Sequence, residues 1–143
     1  MHDQQGYYLE DLEEGMEASF AKTVTEADIV LFAGVSGDTN PVHINEEAAL
    51  KSVFEGRIAH GMLTASFISA VLGTKLPGPG AIYLSQSLRF KAPVRIGETV
   101  TAKVRVKEVI AEKKRVVLET TCQVLGKDVL VGEAMVMVSS REG

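Results

Sequence analysis

His60-Gly61-Met62-Leu63-Thr64-Ala65-Ser66-Phe67-Ile68-Ser69-Ala70-Val71-Leu72-Gly73 contains no Asp, Glu, Lys or Arg and is apolar on nearly every face. A short helix of that composition has to be buried on most sides. Gly73 suits the residue that closes it, and Leu76-Pro77-Gly78-Pro79-Gly80 is a turn. Beyond this point helical spacing gives way to alternation. In residues 82–90, Ile82, Leu84, Gln86, Leu88 and Phe90 face one way, and Tyr83, Ser85, Ser87 and Arg89 the other. In residues 100–107, Val100, Ala102, Val104 and Val106 alternate with Thr101, Lys103, Arg105 and Lys107. Residues 116–125 and 129–138 are valine-rich and alternate less strictly. Such alternation marks an antiparallel sheet with one wet face. The short connections Ala111–Lys114 and Gly126–Lys127 allow hairpins and forbid parallel crossovers.

Upstream, Glu17 to Val24 fits a first strand. Thr25 followed three residues later by Asp28 has capping-box spacing, which predicts a helix over 26–35 ending in Ser36-Gly37. Asn45 is the next cap, opening a helix from Glu46 to Val53, and Phe54 to Ala59 is a connector. Five strands and one apolar helix give an α+β fold, a sheet curled around that helix. A single such sheet has two open edges and a half-covered helix. Pairing two copies edge to edge relieves both, so a homodimer at least is expected.

Composition bounds the function. At 143 residues, 45% hydrophobic and 24% charged, one globular domain over 1–143 is expected. Cys122 is the one cysteine, so no internal disulfide forms. No apolar run approaches the ~18 residues of a membrane span. The stretch MHDQQGYYLEDLEEG lacks a signal-peptide pattern, so a cytoplasmic protein is expected. A net charge of −4 argues against nucleic-acid binding through bulk positive charge. Six of 19 acids lie in residues 1–17, and nine of 15 bases between Arg89 and Arg115. That basic stretch is either solvated strand surface or a landing area for a phosphate-bearing ligand.

The chemistry lies in Phe32-Ala33-Gly34-Val35-Ser36-Gly37-Asp38-Thr39-Asn40-Pro41-Val42-His43. Pro41 fixes its own φ and pushes Asn40 toward extended geometry, so the loop is stiff. A rigid loop presenting Asp38 and His43 is equipped for proton transfer near neutral pH. A surface turn whose Asp38 and Asn40 bond their own backbone is the other reading. At the start of the apolar helix, free N–H groups beside Gly61 can receive a carbonyl oxygen that becomes an enolate. His60 there can equally be a capping or packing residue, and Gly61 can serve close packing. Ser66 and Ser69 would ordinarily bond back to the preceding turn.

Phe-x-x-Val-Ser-Gly-Asp-x-Asn-Pro-x-His, then His-Gly-Met-Leu seventeen residues on, then Leu-Arg-Phe-Lys-Ala-Pro-Val, resembles the MaoC-like hydratase family. Within it the similarity is to the short (R)-specific enoyl-CoA hydratases of polyhydroxyalkanoate metabolism. The resemblance covers residues 10–138 and implies a hot-dog fold, dimeric, with the site between protomers. It implies Asp38 and His43 as the catalytic pair, Gly61 as the oxyanion donor, and Ser69 and Asn40 as supporting residues. It implies hydration of a 2-enoyl-CoA thioester to the (R)-3-hydroxyacyl product, with no metal or redox cofactor, CoA being part of the substrate. Leu72 is a candidate pocket wall, and Arg89, Lys91 and Arg95 are candidates for the CoA phosphates. A dehydratase for acyl-carrier-protein or for branched or dicarboxylic thioesters would use the same chemistry. A thioesterase would want a carboxylate on the central helix, where residues 60–73 have none. A metal site from Asp38, His43 and His60 is a third alternative.

Overall fold

In the computed structural model, which describes residues 5–143, the alternating segments become β1 (Glu17–Thr23), β2 (Ile82–Phe90), β3 (Thr99–Ile110), β4 (Arg115–Val124) and β5 (Lys127–Met137). Residues 1–4 of the acidic N-terminal stretch lie outside the described residues. The strands form one antiparallel sheet in the order β1-β3-β4-β5-β2, with β1 and β2 at the edges. The expected alternation of β3 is present: Val100, Ala102, Val104 and Val106 are buried between exposed neighbours. Each buried valine contributes roughly 1.5–3 kcal/mol relative to exposure. β3 outlasts the clean alternation because a bulge between Val106 and Glu108 leaves Lys107 unmatched and resets the register.

The helices are α1 (Glu26–Ser36), α2 (Pro41–Ile44), α3 (Glu46–Leu50) and α4 (Gly61–Thr74). Thr25 Oγ1 accepts from the Asp28 amide at 3.1 Å, and Asp28 returns the bond to the Thr25 amide at 2.9 Å. Lys22 also donates to Asp28 at 2.8 Å; it and the Thr25 amide hold that carboxyl below its ordinary range. Gly37, left-handed at φ 81°, ends α1 as expected. α4 packs on β3, β1 and β4, with Leu63, Phe67, Ile68, Val71 and Leu72 in the common core. Phe67 meets Phe20 of β1 edge-to-face, centroids 6.3 Å apart. Cys122 lies beneath α4, its thiol 3.7 Å from the Thr64 carbonyl. Burial pushes that thiol up to about 12, so it supplies no thiolate nucleophile at neutral pH.

Three expectations are corrected. α3 stops at Leu50, short of Val53, and the chain continues in turns. Gly73 does not close α4, which runs on to Thr74, whose hydroxyl bonds back to Ala70. β2 does not alternate cleanly, because a register shift between Tyr83 and Ser85 sets Leu84 out of step. As expected of a half-covered helix, α4 is open along a stripe of Met62, Ser66, Ser69 and Gly73. Among the described residues no helix is long and apolar enough to cross a membrane.

Candidate active site

Asp38 sits in the loop after α1, but His43 does not share that loop. It occupies α2, which Asn40 caps by accepting from the Val42 amide at 3.2 Å, with Pro41 at the first helical position. The expectation of a bare stiff turn missed this four-residue helix, too short for periodicity although its cap and proline are both start signals. The Asp38 side chain accepts from the Asn40 amide at 3.2 Å, and the Asp38 amide donates to Ser36 Oγ at 3.1 Å. Asn40 therefore supports Asp38 through its backbone, while its side chain builds α2.

His43 is buried, and its Nδ1 lies 2.8 Å from the Ile58 carbonyl. A carbonyl only accepts, so the neutral ring carries its proton on Nδ1 and presents a bare Nε2. Arg57, which sequence reasoning did not single out, donates from Nε to the His43 carbonyl at 2.7 Å and pairs with Glu26 at 2.5 Å. A lone arginine in a connector carries no local signal of that role.

One nitrogen of His43, one of His60 and an oxygen of Asp38 all lie within 4.8 Å of one another. Two acceptors gripping one water at about 2.8 Å each lie about 4.5 Å apart, which that limit admits. Donors at 2.0–2.1 Å from one metal lie about 3.0–3.4 Å apart, which the same limit also admits, so ring orientation decides between them. The His43 and His60 rings are stacked, centroids 3.9 Å apart and planes inclined by 26°. Lone pairs of stacked rings run in near-parallel planes and do not converge on one ion.

These residues line a cavity of about 540 Å³ between the start of α4 and the end of β2, with Gly61, Phe90 and Lys91 in its wall. Among the described residues, no acceptor engages the Gly61 and Met62 amides, as expected of the first turn of a helix. Gly61 also answers the packing alternative: a Cβ there would stand 2.6 Å from the Phe90 ring. The close-packing reading of Gly61 is therefore present in the fold. His60 makes no side-chain cap, which corrects the capping reading, but it is buried against Phe32 and His43, as the packing reading expects.

The remaining candidates separate. Ser66 bonds back to Leu63 at 2.5 Å. Ser69 makes no such bond and lines a different groove, of about 540 Å³, between the open stripe of α4 and β2. Within one protomer it does not meet Asp38. Leu72 is buried at a smaller hollow of about 190 Å³ beside Ser69, away from the Asp38 cavity. Lys91 lines the Asp38 cavity and Arg89 does not. Arg95 is occupied with the Phe54 carbonyl at 2.6 Å. The strand cations are matched in pairs: Lys103 with Glu17 at 3.1 Å, Arg105 with Glu119 at 3.5 Å, Lys107 with Glu133 at 2.8 Å. Three of the nine bases of the basic stretch are thus paired with acids on the strands, as the solvated-strand reading expects, and those pairs depend on register.

A sheet wrapped around one helix is a hot-dog fold, and a carboxylate and an imidazole converging at a cavity beside a free helix start define an acid–base site. The comparisons agree: the MaoC like domain model matches residues 9–127, and the chain belongs to that family. It is 64% identical over 135 residues to the (R)-specific enoyl-CoA hydratase of Rhodospirillum rubrum, covering 94% of each chain. It is 52% identical to the 3-hydroxybutyryl-CoA dehydratase of Methylorubrum extorquens, covering 94% of this chain and 86% of that one. The solved structure of the unliganded R-hydratase PhaJ1 from Pseudomonas aeruginosa superposes with a TM-score of 0.90 at 43% identity, covering 96% and 88% of the two chains.

Proposed function

We propose that this chain is a hydro-lyase that adds water to trans-2-enoyl-CoA and yields (R)-3-hydroxyacyl-CoA. The bond from His43 Nδ1 to the Ile58 carbonyl carries the mechanism, because it leaves Nε2 as the base. One water lies between the Asp38 carboxylate and His43 Nε2. His43 takes a proton from it as the hydroxyl oxygen bonds to C3 of the enoyl group. Electron density moves onto the thioester oxygen, where the Gly61 amide is strongest in the transition state. The imidazolium then returns its proton to C2 on the same face, and the thioester carbonyl re-forms. Asp38 orients the water and offsets the transient positive charge on His43. No metal takes part, a reading supported by the stacked rings. CoA enters as part of the substrate, with Lys91 the cation placed at the cavity to meet its phosphates.

Absorbance loss with crotonyl-CoA tests the activity. Coupling the product to a dehydrogenase specific for one 3-hydroxy enantiomer tests the stereochemistry. Oxidation of the (R) product is expected; release of free thiol without hydration would overturn the reading in favour of a thioesterase. α4 has no carboxylate for that chemistry.

We infer that the active species is a homodimer at least, paired across the β2 edge. Ile82 is 56% exposed and Phe90 52%, beside the exposed Tyr83 and Leu84. That strand edge and the open stripe of α4 line one groove. Long apolar strand edges left in water are prone to pair. Light scattering should give at least twice the 15.4 kDa chain mass, and Ile82→Lys should lower it. A monomer at micromolar concentration would refute the pairing.

A further inference from the structure

His60 has no part in the proton transfers above, yet it touches both His43, which carries them, and Asp38, which orients the water. It is 1% exposed. Its Nε2 lies 2.9 Å from the Asp38 carbonyl, so Nε2 carries the proton and donates. Its ring lies between two others, Phe32 of α1 at 4.9 Å and His43 of α2 at 3.9 Å. We propose that His60 is the positioning residue of this site, one side chain that ties the Asp38 loop by a hydrogen bond and sets the His43 ring plane by stacking.

The other ties on Asp38 are local: Ser36 and Asn40 are each two residues away. They shape the turn but do not fix where the turn sits on the fold. Among the described residues, His60, twenty-two positions distant on the first turn of the buried α4, is the long-range tether of Asp38 in the hydrogen-bond network. The same turn presents the Gly61 amide to the cavity. Acid–base pair and oxyanion donor are thereby referred to one rigid element, and rigid placement is what proton transfer to a bound substrate requires.

The arrangement has a cost that packing alone would avoid. Among the described residues His60 Nδ1 is buried with no partner, and a phenyl ring in the same slot would leave no such orphan. What phenylalanine could not supply is the donor to Asp38.

The inference rests on the hydratase reading, and two variants separate ring from donor. His60→Phe keeps the stack and removes the donor; kcat with crotonyl-CoA should fall about 10- to 100-fold, the scale of a small misplacement, with KM little changed. His60→Gln restores a donor without the ring and should recover part of that loss. Wild-type kcat in His60→Phe, or a His60→Gln slower than His60→Phe, would reduce His60 to packing. Nitrogen-resolved histidine spectra of the wild-type protein provide a readout independent of activity and of variant folding. A proton on His60 Nε2 with Nδ1 bare supports the tether, and a proton on Nδ1 overturns it. A wild-type protein inert toward crotonyl-CoA would refute the hydratase reading, while the spectrum still decides the tether.

Discussion

Asp38→Asn and His43→Gln are each expected to lower kcat for crotonyl-CoA hydration by about 10²-fold or more, the usual scale for losing acid–base help, with the fold intact by circular dichroism. The two losses have different origins. Glutamine at 43 removes the bare nitrogen that accepts water's proton. Asparagine at 38 still accepts a hydrogen bond from water through its amide oxygen, but no longer offsets the charge that His43 acquires. Since both groups act on one water, the double variant should be little slower than the worse single one. KM should move little, because neither residue is needed to hold the acyl chain or CoA. Turnover near wild type in either folded variant would sink the dyad; additive losses would mean that the two residues act on separate steps.

The parts legible in sequence were those set by near neighbours. The Thr25–Asp28 cap, the alternation of β3 and the uncharged run of α4 each report a local preference, and all three survive in the fold. The pairing of Asp38 and His43 was legible in the stiff Pro41 segment and in the family motif; that the spacing spans a loop and then a helix was not. What stayed hidden depends on register or on distant partners. Lys103 meets Glu17 because β1 pairs with β3, and neither residue's surroundings in sequence foretell that register. The bulge at Leu84 falls where Ile82-Tyr83-Leu84 gives way to Ser85-Gln86-Ser87, a break that does not by itself reveal a register shift. His60 could be read as a cap because the first position of a helix is where caps occur; its partner lies in another element.

Gly132→Ala is expected to be the most damaging single-methyl change in the sheet, costing about 3 kcal/mol or more and lowering the melting temperature by roughly 10 °C. Gly132 stands within β5, paired with Leu88 of β2 on one side and Thr120 of β4 on the other. A Cβ there would lie 1.9 Å from the Ser87 carbonyl oxygen. That atom is backbone, so no rotamer change relieves the clash, and β2 has to move away along its central pairs. Two consequences follow from the same displacement. Gln86 would be pulled from the fully buried hydroxyl of Thr120, which it now meets at 2.8 Å, and an unpaired buried polar group costs about 1–3 kcal/mol. Phe90 and Lys91 at the far end of β2 would shift at the wall of the Asp38 cavity, so activity should fall below what the loss of folded protein explains. Gly34→Ala supplies the opposite sign: nothing lies within 4 Å of a Cβ there, and alanine inside α1 should stabilise by about 0.5–1 kcal/mol. Thermal unfolding of the two variants beside the wild type decides the matter. A Gly132→Ala protein that melts with the wild type would show that β2 and β5 do not approach as closely as the Ser87–Gly132 contact requires.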